Sequence, residues 1–294
     1  MVPVVVEKLE TGAKSSTPVQ PAALTAQEFA RISTLMHAKF GVDLRNGKEG
    51  LVAARLGKKL RQGGFLSFGA YFERVLADPT GGLLVEMVDA LTTNHTSFLR
   101  EPSHFAFLTE TVAPAVPPVT TLQIWSAASS TGEEPYSIAC TLLAAAGFAN
   151  RKFSILATDL STRALEKAKA AVYPAEKFRD FPAPWRQSFL LKTGDQGFRI
   201  KPEVAARVEF RRLNLMEPVT HGRRFHVIFC RNVMMYFDRE TQTAVVGRLA
   251  ACLEPGGYLF VGHSETLTGM DHGLEYVKPA IYRNGKARVS RIGV

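Results

Sequence analysis

The stretch Leu91–Phe105, "LTTNHTSFLREPSHF", divides the chain into halves of different pattern. Uncharged hydrogen-bonding side chains, among them Asn94 and Thr96, run up to Arg100, and Pro102 then opens an apolar segment with the signature of a helix start. On its N-terminal side, Phe68, Tyr71, Phe72, Val75 and Leu76 recur at helical spacing, and Thr25 with Glu28 forms a capping-box pattern. Residues 24–90 are therefore expected to make a small all-helical domain, preceded by a flexible tail over 1–23 that is rich in small residues and proline. On its C-terminal side, short apolar runs alternate with helical segments: "TLQIWSA", "FSILATD", "VEFRRLNL", "FHVIFC" and "GGYLFVGHS", then the hairpin-like "LEYVKPAIYRN". This alternation predicts an α/β fold over 102–288, a mainly parallel sheet with helices on both faces, joined to the first domain by a linker over 91–101. No internal repeat is present.

Composition narrows the class of protein. At 294 residues, 46% hydrophobic and 21% charged, the chain has the makings of a soluble globular protein with a substantial core. It has no run of eighteen apolar residues, and "MVPVVVEKLE" is broken too early by proline and charge to be a signal-peptide core, so a cytoplasmic protein without membrane insertion is expected. Cys140, Cys230 and Cys252 lack metal-ligand spacing and read as reduced, packed thiols; no metal is expected. The net charge of +9 points to an acidic partner, whether nucleic acid, anionic membrane or carboxylate-rich protein.

In folds of this class ligands bind beyond the carboxyl ends of the strands. The first strand leads into "SAASSTGEEPYSIA", where small side chains allow close approach to the backbone and Glu133 and Glu134 begin a helix. The G-x-G-x-x-G spacing is absent, which disfavours a nicotinamide dinucleotide, and two glutamates at a helix start repel pyrophosphate but suit a cationic amine. The lesser reading is that they are merely helix-starting acids. The second strand ends in Asp159, which can accept from both hydroxyls of a ribose or can cap the next helix, a task Ser161 can also perform. Asn214 and Leu215 follow the third strand, and "CRNVMMYFDRE" follows the fourth.

Taken together, "LTTNHTSFLRE", "WSAASSTGEEPYSIA", "LATDLS", "LNL", "IFCRNVMMYFD" and "LFVGHSETL" resemble, in order and context, the chemotaxis receptor glutamate methyltransferases, the CheR family, over about residues 24–284. The resemblance implies a Rossmann-like S-adenosylmethionine-dependent methyltransferase domain with a small N-terminal helical domain and a β-subdomain at about 177–210. Carried over residue by residue, Asn94, Thr96, Arg100, Glu133, Asp159, Asn214, Leu215, Arg231 and Asn232 would hold S-adenosyl-L-methionine and its product S-adenosyl-L-homocysteine, while Arg100 and Tyr236 would serve the chemistry. The linker would fold over the cleft, so that two domains share one site. His95 and the "AASS" loop depart from the family pattern without conflicting with adenosine binding.

The expected partner is the cytoplasmic helical methylation region of chemoreceptors. In "KEGLVAARLGKKLRQ", Val52, Leu56 and Leu60 form one helical stripe and Arg55, Lys58, Lys59 and Gln62 another, so a basic face is expected to look outward and dock that acidic bundle. Some members of the family also tether to a receptor C-terminal pentapeptide through the β-subdomain; here "FLLKTGDQGFRI" looks short for that, and no tether is expected. A monomer is expected. Two other readings are weaker. A non-catalytic binder would have no need of Arg100 and Tyr236, and a nucleic-acid methyltransferase would show an N/D-P-P-Y-type motif or aromatic residues interleaved with basic ones. His263, Ser264 and Glu265 read as sheet-end structure, since neighbouring residues cannot align a nucleophile with its own base.

Overall fold

The computed structural model describes residues 22–44, 47–92, 94–148, 151–194, 197–219 and 222–285; most of the expected tail lies outside the described residues. Four helices come first: α1 (Ala26–Phe40), α2 (Glu49–Gly63), α3 (Phe68–Leu76) and α4 (Gly82–Leu91). Thr25 and Glu28 close the capping box on α1, and the Glu28 carboxylate also accepts from the Gly69 N–H at the start of α3, so one side chain both starts a helix and joins two. Phe29, Ile32 and Met36 pack with Val52, Leu56, Leu60, Phe72 and Met87 in a core of their own. Leu76, the last of the periodic apolar positions, is left on the surface.

After the linker, α5 (Pro102–Phe107) runs through a π-helical turn at Leu108–Val112 into a short α6 (Ala113–Ala115). There follow β1 (Leu122–Ala127), α7 (Glu133–Ala144), β2 (Phe153–Asp159), α8 (Thr162–Ala170), β3 (Val172–Pro174), α9 (Ala183–Phe189), β4 (Leu190–Thr193), β5 (Gly197–Ile200), α10 (Pro202–Ala205), β6 (Val208–Arg212), β7 (Phe225–Phe229), α11 (Arg239–Ala251), β8 (Leu253–Phe260), β9 (Glu275–Lys278) and β10 (Ile281–Arg283). The main sheet has the order β6-β2-β1-β7-β8-β10-β9, parallel through β8 and closed by the antiparallel β9–β10 hairpin. Strand alternation splits the core by face. Ile124, Val227 and Phe229 join the cluster under α7, while Trp125 and Ile228 join the one under α11. Because β1 lies between β2 and β7, chain direction around it diverges, which opens a crevice at its carboxyl end.

The small sheet has the order β3-β5-β4 and spans 172–200, not 177–210. Its first strand precedes the expected start, and Val208–Arg212 pairs in parallel with β2 of the main sheet instead. Cys140 and Cys230 are buried, Cys252 is partly so, and all three are free; burial pushes their thiols up, away from reactivity. Among the described residues no helix is long and apolar enough to cross a membrane.

Candidate active site

The crevice beyond β1 holds a cleft of about 1070 Å³, part of it open to solvent. Its walls come from three parts of the chain: Phe40 and Val42 of the helical domain, Asn94, His95, Thr96, Ser97 and Arg100 of the linker, and Ser130, Glu134, Asp159, Asn214, Leu215, Arg231, Asn232 and Tyr236 of the α/β domain. Thus Asn94, Thr96, Arg100, Asp159, Asn214, Leu215, Arg231, Asn232 and Tyr236 come together, although they are scattered along the chain.

The loop after β1 is built for close approach. Ala128, Ser130 and Gly132 have φ of 69°, 49° and 95°, and a Cβ on Gly132 would lie 2.8 Å from both Ala168 Cβ and the Tyr173 hydroxyl. The loop therefore presses against α8. Ser130 N–H donates to Asp159 Oδ2 at 2.7 Å and Ser161 N–H to Oδ1 at 2.9 Å. Burial pushes the Asp159 carboxyl up, and these backbone donors oppose it. The hydroxyl that caps α8 belongs to Ser161, so Asp159 lacks the capping role and keeps acceptor capacity toward the cleft.

The two glutamates at the start of α7 diverge. Glu133 is buried outside the cleft lining, where it accepts from Lys177 Nζ at 3.0 Å and Thr131 Oγ1 at 2.6 Å. Glu134 lines the cleft, bonded to Ser126 Oγ at 2.7 Å and Arg231 Nη1 at 3.1 Å. Burial pushes its carboxyl up against the pull of Arg231. Successive helical residues point about 100° apart, so adjacent identical side chains meet different surroundings. Lys177 also donates to the Thr96 carbonyl at 3.0 Å, and Ser130 Oγ to the Asn94 carbonyl at 3.2 Å; both tie the linker down over the loop.

Other expected binding residues are already engaged. Asn214 Nδ2 donates to the Lys39 carbonyl at 2.8 Å, docking α1 on the sheet, so only its unengaged acceptor capacity and backbone remain for a ligand. Beside it, Asp43 N–H donates to the Tyr236 carbonyl at 2.8 Å and His37 meets Asp238 at 2.5 Å. Arg231 pairs with Glu101 at 2.9 Å and Glu134 at 3.1 Å. The sequence singled out neither Glu101 nor Lys177, and of the glutamate pair it carried Glu133, not Glu134, into the site. Glu134 carried the same local signal as Glu133, and nothing local marks the other two.

The basic face expected on α2 is corrected by its partners. Arg55 turns inward and donates to the carbonyls of Leu91, at 2.6 Å, and Thr92, at 3.3 Å, at the end of α4; Lys59 pairs with Glu86 at 2.7 Å. The open carbonyls at a helix C-terminus attract the guanidinium. Lys58 remains exposed. Arg55→Ala is therefore expected to loosen the linker, removing a charge-assisted bond of about 1.5–3 kcal/mol and lowering both melting temperature and cofactor affinity in the absence of receptor. Lys58→Ala should leave both unchanged and slow receptor methylation only at low salt. Equal cofactor affinity in Arg55→Ala and wild type, by calorimetry, would refute the inward role.

Under the linker, Glu101, His104 and His263 bring ligand-type atoms within 4.8 Å of one another, but the Glu101 carboxylate is already taken up by Arg231, Asn232 and the His263 N–H. His104 is fully buried and neither ring nitrogen has a hydrogen-bond partner among the described residues. Burial, with Arg231 and His263 opposing and Glu101 assisting the charged form, takes its pKa from 6.5 down to about 3. Between those values the unfolded chain binds a proton that the folded chain refuses, so stability falls as pH drops below 6.5. From pH 7 to pH 5 the His104 share is roughly 1–2 kcal/mol. Urea midpoints should show His104→Leu losing less stability than wild type over that interval; parallel losses would remove His104 from the account.

Two family models match the sequence: the CheR methyltransferase all-alpha domain over residues 27–92, and the CheR methyltransferase SAM binding domain over 94–282. The chain belongs to the CheR methyltransferase family. It is 41% identical over 264 residues to a chemotaxis protein methyltransferase of Klebsiella aerogenes, covering 88% of this chain and 90% of that one. It is 39% identical over 262 residues to chemotaxis protein methyltransferase 2 of Pseudomonas aeruginosa, covering 88% and 93%, and 37% identical over 268 residues to the Escherichia coli chemotaxis protein methyltransferase, covering 90% and 93%. Among solved structures, an S-adenosylmethionine-dependent methyltransferase from Mesorhizobium loti overlaps 52% of this chain and 51% of its own at a TM-score of 0.30 and 14% identity, too remote to bear on the site. As a member of the CheR family, the chain is an enzyme whose methyl donor is S-adenosylmethionine. The site fits that donor, since Asp159 offers buried acceptors beside the cleft and Asn94, Glu134 and Arg231 add polar groups to its walls.

Proposed function

We propose that this CheR-family enzyme transfers the methyl group of S-adenosylmethionine to γ-carboxylates of glutamates in the cytoplasmic helical methylation region of chemoreceptors, giving glutamate methyl esters and S-adenosylhomocysteine in adaptation of a chemotaxis-type signal. The observation that carries this reading is the convergence of Arg100 from the linker, Tyr236 from the α/β domain and Asp159 from the cofactor floor on one cleft. The bound cofactor supplies an electrophilic methyl. Asp159 holds the ribose hydroxyls, Asn94 and Thr96 close one side, Leu215 and Phe40 offer apolar surface, and Glu134, in preference to Glu133, supplies the carboxylate at the cleft.

A glutamate acceptor, with a reference pKa of about 4.3, is already ionised at neutral pH, so the site needs no general base. Orientation and exclusion of water are what the chain contributes, and alignment alone can lower a barrier by roughly 7 kcal/mol or more. Arg100 holds the acceptor carboxylate by two prongs and Tyr236 donates one hydrogen bond that sets its angle. Since carboxylate charge is lost during transfer, these contacts serve direction more than affinity. Docking rests on Lys58 and the exposed end of α2, acting on an acidic helical bundle without a pentapeptide tether. Residues 195 and 196 of the β4–β5 loop lie outside the described residues. The enzyme acts as a cytoplasmic monomer.

Incubation of the protein with labelled S-adenosylmethionine and receptor cytoplasmic fragments tests this. Label should enter the fragment and be released by mild base, as a methyl ester requires. Base-stable label, or label on nucleic acid in place of the receptor, would overturn the proposal.

A further inference from the structure

Arg100 enters the cleft from an unusual backbone. Its neighbours Leu99 and Glu101 both have left-handed φ, 54° and 58°, a conformation that β-carbon-bearing residues avoid unless the surroundings impose it. The guanidinium of Arg100 makes one long hydrogen bond, to the His95 carbonyl at 3.5 Å, so its tip is weakly held. Its backbone is held strongly. Arg231 Nη2 donates to the Arg100 carbonyl, and the same guanidinium meets Glu101 Oε2 through Nε at 3.2 Å and Nη2 at 2.9 Å. Glu101 Oε1 accepts from Asn232 Nδ2 at 3.3 Å and from the His263 N–H at 3.2 Å, and the Glu101 carbonyl accepts from the His104 N–H, in the first turn of α5, at 3.1 Å. Leu99 is pinned from the other side by Ser137 Oγ at 2.9 Å.

We infer that Glu101 is the positioning residue for Arg100: its carboxylate, locked to Arg231, Asn232 and the His263 backbone, holds the linker in the left-handed bend that aims the Arg100 side chain into the cleft. This rests on the reading of Arg100 as an acceptor-holding group. Burial works against the Glu101 charge, but Arg231 and the donors from His263 and Asn232 outweigh it and keep the carboxyl below its usual range. The anchor is therefore charged at neutral pH, where the acceptor is ionised as well. Arg231 is buried, with a side chain 2% exposed, and Glu134 occupies its remaining face, so the anchor has no slack to follow a shifted linker.

The test is a double-mutant cycle on kcat with receptor fragment, using Arg100→Ala, Glu101→Gln and the pair. Glu101→Gln should lower kcat on the order of a hundredfold, the scale of a small misplacement of a reacting group. The double variant should be no slower than Arg100→Ala alone, because an anchor has nothing to aim once the side chain is gone. Losses that multiply would show Glu101 acting independently of Arg100 and overturn the inference while leaving the Arg100 reading intact. A wild-type rate in Arg100→Ala would remove the reading itself and the inference with it. Should Glu101→Gln fold poorly, Glu101→Asp keeps the charge but shortens its reach to Arg231 and the His263 N–H, and the same non-multiplying pattern with Arg100→Ala is expected.

Discussion

Arg100→Ala is expected to reduce methyl transfer by roughly a hundredfold, the effect of about 3 kcal/mol that accompanies loss of one partner of a desolvated, hydrogen-bonded charge pair. The side chain is half-buried in the wall shared by both domains and is the linker's cationic contribution to the cleft. Tyr236→Phe should behave differently. It removes one hydrogen bond to the ionised acceptor carboxylate, a charge-assisted bond of about 1.5–3 kcal/mol, and should lower kcat by roughly tenfold to a hundredfold, with S-adenosylhomocysteine affinity unchanged. The ring stays in place because the Tyr236 backbone is pinned by Asp43. Single-turnover rates and calorimetric affinities measured on both variants separate the roles. A Tyr236→Phe variant that lost cofactor binding as severely as transfer would show that the hydroxyl belongs to the cofactor side.

Asp159→Ala is expected to weaken S-adenosylhomocysteine binding by roughly tenfold to a hundredfold, since each charged hydrogen bond lost is worth about 1.5–3 kcal/mol. Here the geometry adds a second cost. Removal of the carboxylate leaves the N–H groups of Ser130 and Ser161 without their acceptor, so the loop after β1 loosens as well. Asp159→Asn keeps one acceptor oxygen and should fall between alanine and wild type. α8 should remain, because Ser161 caps it. Calorimetric titration with circular dichroism as the check on folding decides the matter: an Asp159→Ala variant that bound the product as tightly as wild type would leave the carboxylate with only its bonds to the loop.

The order of elements was legible because strands and helices announce themselves in one dimension. Apolar runs such as "TLQIWSA" and "FHVIFC" mark strands buried on both faces of a helix-covered parallel sheet, and Thr25 with Glu28 encodes a helix start within four residues. The linker's polar residues stood out for a similar reason, since Asn94, Thr96 and Arg100 have no core to serve at a junction between two differently patterned halves, and all three line the cleft. The family motifs assigned Asp159 to the ribose and chose Glu133 from the glutamate pair, whereas the glutamate that lines the cleft is Glu134.

What residue type and period cannot carry is direction. Glu133 and Glu134 are identical in sequence terms, yet Lys177 captures one and Arg231 the other, and only the packing of 3-10 turn Ala175–Phe178 against the linker settles which faces the cleft. Arg55 belongs to a basic stripe until the open carbonyls at the end of α4 are brought beside it, and Asn214 reads as a ligand group until the Lys39 carbonyl reaches it from α1. Glu101 is one more acid in "FLREPSHF" until Arg231 and Asn232, more than a hundred residues later, close on its carboxylate. Burial makes every one of these side chains find a partner for its polar atoms. Local sequence states that the need exists, and the tertiary fold, by deciding which distant donor or acceptor arrives, states how it is met.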